Sequence, residues 1–228
     1  MEPIYLDNHL LVILKPPGLL SQADETGDPD VLSIWKEYLR RRFDKPGKVF
    51  LGLVHRLDRP ASGIMVLART SKAASRLTQQ FRERSVVKEY VAVVEGRPEK
   101  SGLLTDFLIK EDRRVRIASP DEAGARQAEL DLKPGVSTSG LTAVTVRLHT
   151  GRPHQIRVQL ATRGTPIVGD FRYGARRELD GKNLALHAFR LSFTHPIGRE
   201  RVEFMAPVPD NWPEELRHMT AGVERPGG

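Results

Sequence analysis

The sequence contains no cysteine. That one absence removes disulfides, thiol nucleophiles and thiolate metal sites together, and it fits a reducing compartment. Long hydrophobic runs are missing too. No apolar stretch approaches the roughly 18 residues that a membrane span needs. The opening Met1-Glu2-Pro3-Ile4-Tyr5-Leu6-Asp7 has no basic segment followed by an apolar one, so it does not read as a signal peptide. These absences set the expectation of a cytoplasmic protein with no membrane partner.

Several nucleotide, metal and hydrolase signatures are also lacking. Gly47-Lys48 is followed by Val49 and has no glycine five residues before Gly47, which excludes a phosphate-binding P-loop. No Gly-x-Gly-x-x-Gly is present for a dinucleotide. Gly135-Val136-Ser137-Thr138-Ser139 starts like a nucleophile elbow but has Ser139 where the second glycine belongs. The seven histidines never form His-Glu-x-x-His, so no zinc site is expected. The expected chemistry uses no cofactor and no metal.

What is present is an ordinary soluble composition, 39% apolar and 29% charged over 228 residues. That length suits a single catalytic domain spanning 1–228, or one domain made of two tightly fused halves. Lys and Arg number 36 against 29 Asp and Glu, a net charge of +7, with a pI near 9.9. Such a balance suits a polyanionic partner, because neutralising phosphates releases counterions.

The apolar pattern predicts an α+β fold with a mixed, mainly antiparallel sheet and flanking helices. Leu10 to Leu14 reads as a strand stopped by Pro16-Pro17-Gly18. Asp30 before Val31, Ile34, Trp35, Tyr38 and Leu39 predicts a capped helix over about 31–43. Val49 to Val54 and Ile64 to Ala68 are compact runs suited to central strands buried on both faces. Thr70 caps a second helix with Ala74, Leu77 and Phe81 on one side. Val86 to Val94 is a long β-branched strand carrying Lys88-Glu89-Tyr90. Shorter strands fill 103–148, with turns expected at Ser119-Pro120-Asp121 and Pro134-Gly135. Pro153, as a first helical residue, opens a helix to about Arg163 in which Ile156 and Leu160 face the core and other faces stay polar. Leu184 to Phe193 and Val202 to Met205 are the late strands.

Two charged clusters stand out against this frame, His55-Arg56-Leu57-Asp58-Arg59 and Gly151-Arg152-Pro153-His154-Gln155-Ile156-Arg157. The first is a charged loop between two apolar runs, and it has to open to solvent or ligand because unpaired buried charge is costly. Opposite charges beside Asp58 favour its carboxylate form. Such a group can act as a nucleophile while arginines grip phosphates. It can equally form a loop salt bridge with Arg59 and cap a turn.

His55-Arg56-Leu57-Asp58-Arg59 followed by Ser62-Gly63 resembles the catalytic loop of the RluA-type pseudouridine synthases. Gly151-Arg152-Pro153-His154-Gln155-Ile156-Arg157-Val158 is similar to that family's later signature, and Lys88-Glu89-Tyr90 to its Lys-x-Tyr element. The stretch from Leu10 to Gly18 resembles its opening strand and Lys-Pro-x-Gly turn. Pro166-Ile167-Val168-Gly169-Asp170 with Tyr173-Gly174, and Leu186-His187-Ala188 with Leu191-Ser192-Phe193, resemble its later segments. The likeness covers about residues 6–208. Pro60-Ala61 stands where many members have Asp-Thr, and Gln159 replaces a frequent histidine. Both departures bear on substrate choice. The small RNA-binding domain that precedes the catalytic domain in many relatives is not expected here.

The resemblance implies isomerisation of specific uridines in structured ribosomal or transfer RNA, by base flipping, in a monomer without cofactor. It implies Asp58 as the essential carboxylate, Arg157 as its basic partner and Tyr90 packed on the flipped uracil. Arg56 fills the space left by the base, and His55, Arg59, Arg152 and His154 hold phosphate or ribose. The bland alternatives are a core aromatic for Tyr90 and solvated charge for the rest. Two other functions compete: an inactive RNA-binding protein on the same fold, and a metal-free RNA hydrolase using His55 or His154 as a base.

Overall fold

The computed structural model describes residues 2–44, 46–112 and 114–221. The fold is α+β, with a large, mostly antiparallel sheet. Its internal packing divides the chain into two compact units: residues 1–86 with 191–206, and residues 87–190 with 207–228.

In the first unit, β1 (Tyr5–Leu6) and β4 (Ser62–Ala68) both pair antiparallel with β2 (Leu10–Lys15). All seven residues of β4 are buried, as its unbroken apolar run predicts. The helix α1 (Val31–Arg42) begins where Asp30 accepts a hydrogen bond from the Ser33 amide, and it buries Val31, Trp35 and Leu39 at a spacing of four. Its last turn carries Arg40, Arg41 and Arg42, which suit the negative end of the helix dipole. Thr70 caps α2 (Ser71–Arg82) through the Ala73 amide, and Leu77 and Ala73 join the core formed by Leu10, Val12, Ile64 and Val66. Burying a side chain such as Leu77 stabilises by about 1.5–3 kcal/mol relative to leaving it in water.

The run from Val49 to Val54 departs from expectation. It contributes only β3 (Gly52–Leu53), paired with the end of β4, and Phe50 is exposed. Gly52 lets α2 come close, since a Cβ there would sit 3.1 Å from that of Ala74. The strand is therefore short, and the chain leaves it at once for the charged loop.

The second unit is a meander. The strand β5 (Val87–Glu95) pairs with β9 (Leu141–Leu148), β9 with β8 (Arg126–Thr138), β8 with β6 (Gly102–Glu111), and β6 with β7 (Arg114–Ala118), each antiparallel. Pro134-Gly135, expected as a turn, lies inside β8. The register shifts between Pro134 and Ser137, a bulge that accommodates the proline's missing donor, and the chain reverses only at Ser139-Gly140. The strand β10 (Leu186–Thr194) passes from the second unit into the first, where β11 (Arg201–Met205) completes the late pair.

The helix α3 (Gln155–Ala161) also differs. It starts at Gln155, two residues after Pro153, with His154 before it at φ +51. Every side chain from Gln155 to Leu160 is buried, so the expected polar face does not meet solvent. Its polar groups are held by internal partners instead. The helix α4 (Glu214–Thr220) packs against β5, β8 and β9.

Candidate active site

In the first unit the loop between β3 and β4 holds His55, Arg56, Asp58 and Arg59. Its backbone is fixed at several points. The Ser21 hydroxyl donates to the Leu57 carbonyl at 2.8 Å and accepts from the Leu57 amide at 3.2 Å. One residue beyond Asp58, the Arg59 carbonyl accepts from the Gly18 amide at 2.8 Å and from Lys15 Nζ at 3.1 Å. Asp58 thus sits between two clamped neighbours, half-buried, with its own carbonyl accepting from Ala61 to close the turn.

Arg59 pairs with Asp28 at 2.8 Å and donates through Nε to the Gly18 carbonyl. Arg56 is exposed. His55 is a strut: its Nε2 accepts from the Val66 amide at 3.0 Å, and the ring stacks on Phe81 with centroids 4.8 Å apart. A nitrogen that accepts a backbone N–H carries no proton, so the neutral ring has its hydrogen on Nδ1.

Lys15, at the end of β2 and just before the Pro16-Pro17-Gly18 turn, is fully buried and lies beneath this loop. Burial lowers its ammonium to about 7; the nearby Asp58 carboxylate opposes the shift and the Arg59 charge adds to it. Its sequence signal was the Lys15-Pro16 pair at the end of a buried strand.

In the second unit Tyr90 lies on β5, opposite Val146 of β9, and is 8% exposed. The loop before α3 is built around Gln155. Its Oε1 accepts from Thr150 Oγ1 at 2.8 Å and from the Arg152 amide at 3.0 Å, while Nε2 donates to the Glu129 carbonyl. Arg152 Nε donates to the Gln127 carbonyl at 2.9 Å. Two residues after Gln155, Arg157 is brought against Asp170 in a two-pronged pair, Nε to Oδ2 at 2.7 Å and Nη2 to Oδ1 at 2.8 Å. Both side chains are deeply buried. The Arg157 guanidinium also lies 5.0 Å from the centre of the Tyr173 ring.

Tyr173 ties this arrangement to His154. Its hydroxyl accepts from the Val115 amide at 3.0 Å and stands 2.8 Å from His154 Nδ1. Burial raises the phenol above its usual value, so it keeps its proton. The direction of its bond with His154 Nδ1 is set by the tautomer of that ring. The bond helps to hold His154 in a left-handed conformation that costs a non-glycine residue about 1–2 kcal/mol. Asp170 and Tyr173 were visible in the sequence only as members of a family segment. Nothing in their spacing marked them as partners of Arg157.

Comparison with known proteins decides the family. Residues 9–162, more than half of the chain, match the family described as RNA pseudouridylate synthase. The chain belongs to that family. It is 37% identical over 224 residues to the ribosomal large subunit pseudouridine synthase D of Xanthomonas campestris, covering 92% of this chain and 67% of the relative. It is 35% identical over 219 residues to the ribosomal large subunit pseudouridine synthase C of Buchnera aphidicola, covering 90% and 66%. This synthase therefore spans about two thirds of the length of these relatives. Its fold is shared with human RNA pseudouridylate synthase domain containing 4, at a TM-score of 0.78 and 24% identity over 96% of this chain and 91% of that one.

The chain is thus an RNA pseudouridine synthase, an isomerase of the RluA type. The reaction breaks the bond from ribose C1′ to base N1 and reconnects the uracil through C5, with no net redox change. The synthase belongs to the class named by its charged motifs, and neither competing function is needed. No helix among its described residues is long and apolar enough to cross a membrane.

Proposed function

We propose that this synthase acts in the cytoplasm on uridine in large-subunit ribosomal RNA, with Asp58 as the reacting carboxylate. The observation that carries the reading is the clamped loop around Asp58. Ser21 holds Leu57 and Lys15 holds Arg59, so a half-exposed carboxylate is presented on a fixed backbone. Preorganisation of this kind lets a group react without first paying to be placed. The relatives named above carry ribosomal large subunit in their names, which supports the RNA class.

A uridine in structured RNA has to leave its stack before C1′ or C6 can be reached. In this reading Arg56, exposed on the loop, fills the gap in the stack, and Tyr90 packs on the flipped uracil. Arg157 is the basic partner of the reacting carboxylate, a task for which a planar guanidinium is better suited than a lysine. His55, Arg59, Arg152 and His154 contribute to holding phosphate or ribose, directly or by fixing the loops that do.

The test is to treat large-subunit ribosomal RNA and transfer RNA transcripts with the purified chain and to map alkali-resistant carbodiimide adducts. New adducts at defined uridines of the ribosomal transcript, absent without enzyme, are expected. Adducts confined to transfer RNA would reassign the substrate.

A further inference from the structure

Residues 169–177 form a closed loop in the second unit. The Gly169 amide donates to the Arg177 carbonyl at 2.9 Å, which joins the two ends. Glu95, the last residue of β5, accepts the Arg176 and Arg177 amides on one carboxylate oxygen, at 2.7 and 2.6 Å. Within the loop Asp170 turns inward to Arg157, Tyr173 reaches the Val115 amide, and Ala175 is buried. The Tyr173 and Ala175 amides both donate to the Asp170 carbonyl, at 3.0 and 3.1 Å, so the backbone between them is fixed.

On this fixed frame Phe171 faces outward and is 51% exposed. A single exposed apolar side chain is ordinary on a protein surface. The other exposed rings among the described residues, however, are engaged. Tyr5 tilts on Phe204, Phe43 lies under the Arg69 guanidinium, and Phe50 borders Gly52. Phe171 is an open aromatic face on a rigid loop.

The charge around it has one sign. Arg172, Arg176 and Arg177 are exposed, and the one acid of residues 169–177, Asp170, is buried against Arg157. An aromatic face among arginines suits single-stranded RNA, because a base stacks on the ring while guanidinium groups neutralise its phosphates. A ring with two torsions on a clamped loop loses little freedom when a base settles on it.

We propose that Phe171 is a stacking platform for an unpaired base of the RNA substrate, separate from the uridine that is isomerised. The inference uses the RNA substrate of the family and none of the roles given above to Asp58, Tyr90 or Arg157. It therefore stands or falls apart from them.

The experiment measures binding of a short single-stranded oligouridylate at low salt. Trp35 and Trp212 are each 2% exposed, so in a Phe171→Trp variant the new indole is the one the probe can reach. Oligouridylate should quench its emission, with the same midpoint as filter binding, and leave wild-type emission nearly unchanged. Phe171→Ala should weaken oligouridylate binding about tenfold, within the range of one base stack. Phe171→Leu should lose as much, since it is apolar without a flat face, and Phe171→Tyr should keep the wild-type affinity. A blunt RNA duplex, whose bases are already stacked, should bind all of these proteins alike. Binding to Phe171→Trp without quenching would overturn the proposal, as would wild-type affinity in Phe171→Ala or Phe171→Leu. A wild type that does not bind the probe would overturn it too. Self-association of the wild type that Phe171→Ala abolishes, with RNA affinity unchanged, would make the ring a contact between copies instead.

Discussion

The buried ammonium of Lys15 donates to the backbone carbonyl of Arg59, 44 residues further along the chain and one residue past Asp58. A second bond from the same nitrogen reaches the Pro16 carbonyl at 2.9 Å. Lys15 therefore joins the end of β2 to the proposed catalytic loop from beneath, and it does so at the cost of burying an amine.

That cost gives a pH signature. Burial brings the folded amine to about 7, below its ordinary value of 10.5. Between those values the unfolded chain binds more protons than the folded one, so stability rises with pH across the window. Lys15→Met lacks this dependence. Urea titrations should show the wild type gaining about 2 kcal/mol on the variant between pH 7 and pH 9. A difference that stays flat would mean that the buried amine titrates normally.

For Asp58, the clamped backbone separates shape from chemistry. Asp58→Asn preserves the volume of the side chain and removes its ability to attack. We expect the single-turnover rate to fall by at least about a thousandfold, roughly 4 kcal/mol of barrier, with RNA affinity nearly unchanged. A rate within about tenfold of wild type would remove Asp58 from the mechanism.

Arg157 and Arg152 should respond in opposite ways to the same substitution. Lysine at 157 keeps a charge near Asp170 but cannot form the fork with both of its oxygens. Arg157→Lys should lose about a hundredfold in rate at saturating enzyme and little in affinity. Arg152, on the loop before α3, should as lysine weaken binding while chemistry is kept once RNA saturates. Equal rates for Arg157→Lys and wild type would make Arg157 another phosphate contact.

Binding as a whole should depend on salt. If the arginine-rich loops and the net charge of +7 supply affinity through about four phosphate contacts, the binding constant should fall about a hundredfold between 50 and 200 mM salt. Filter binding or fluorescence titration across that range measures the slope. An almost flat slope would place the source of affinity in base contacts or shape.

Local order in this protein was readable from local sequence. Asp30 and Thr70 cap the helices they precede, and the apolar runs at Leu10 and Ile64 became buried strands. These features depend on hydrogen bonds and side-chain periods within a few residues, so a single segment contains the information. The misreadings were of the same kind. Pro134-Gly135 looked like a turn, and only its pairing with β9 shows a strand that absorbs the proline in a bulge. Pro153 looked like the start of a helix, and His154, bonded to Tyr173, shifts that start to Gln155.

The sequence by itself determined the family and the residues that carry its signature, because Asp58, Tyr90 and Arg157 each lie in a short motif of fixed order. Tertiary structure decided what those residues lean on. Arg157 took Asp170 in its fork. Lys15 became an anchor for a loop 44 residues away. The physical reason is that a buried charge takes whatever partner the fold brings within about 3 Å, since leaving it unpaired costs several kcal/mol. Such partners share no period, cap or spacing along the chain, and only the packed backbone selects among them.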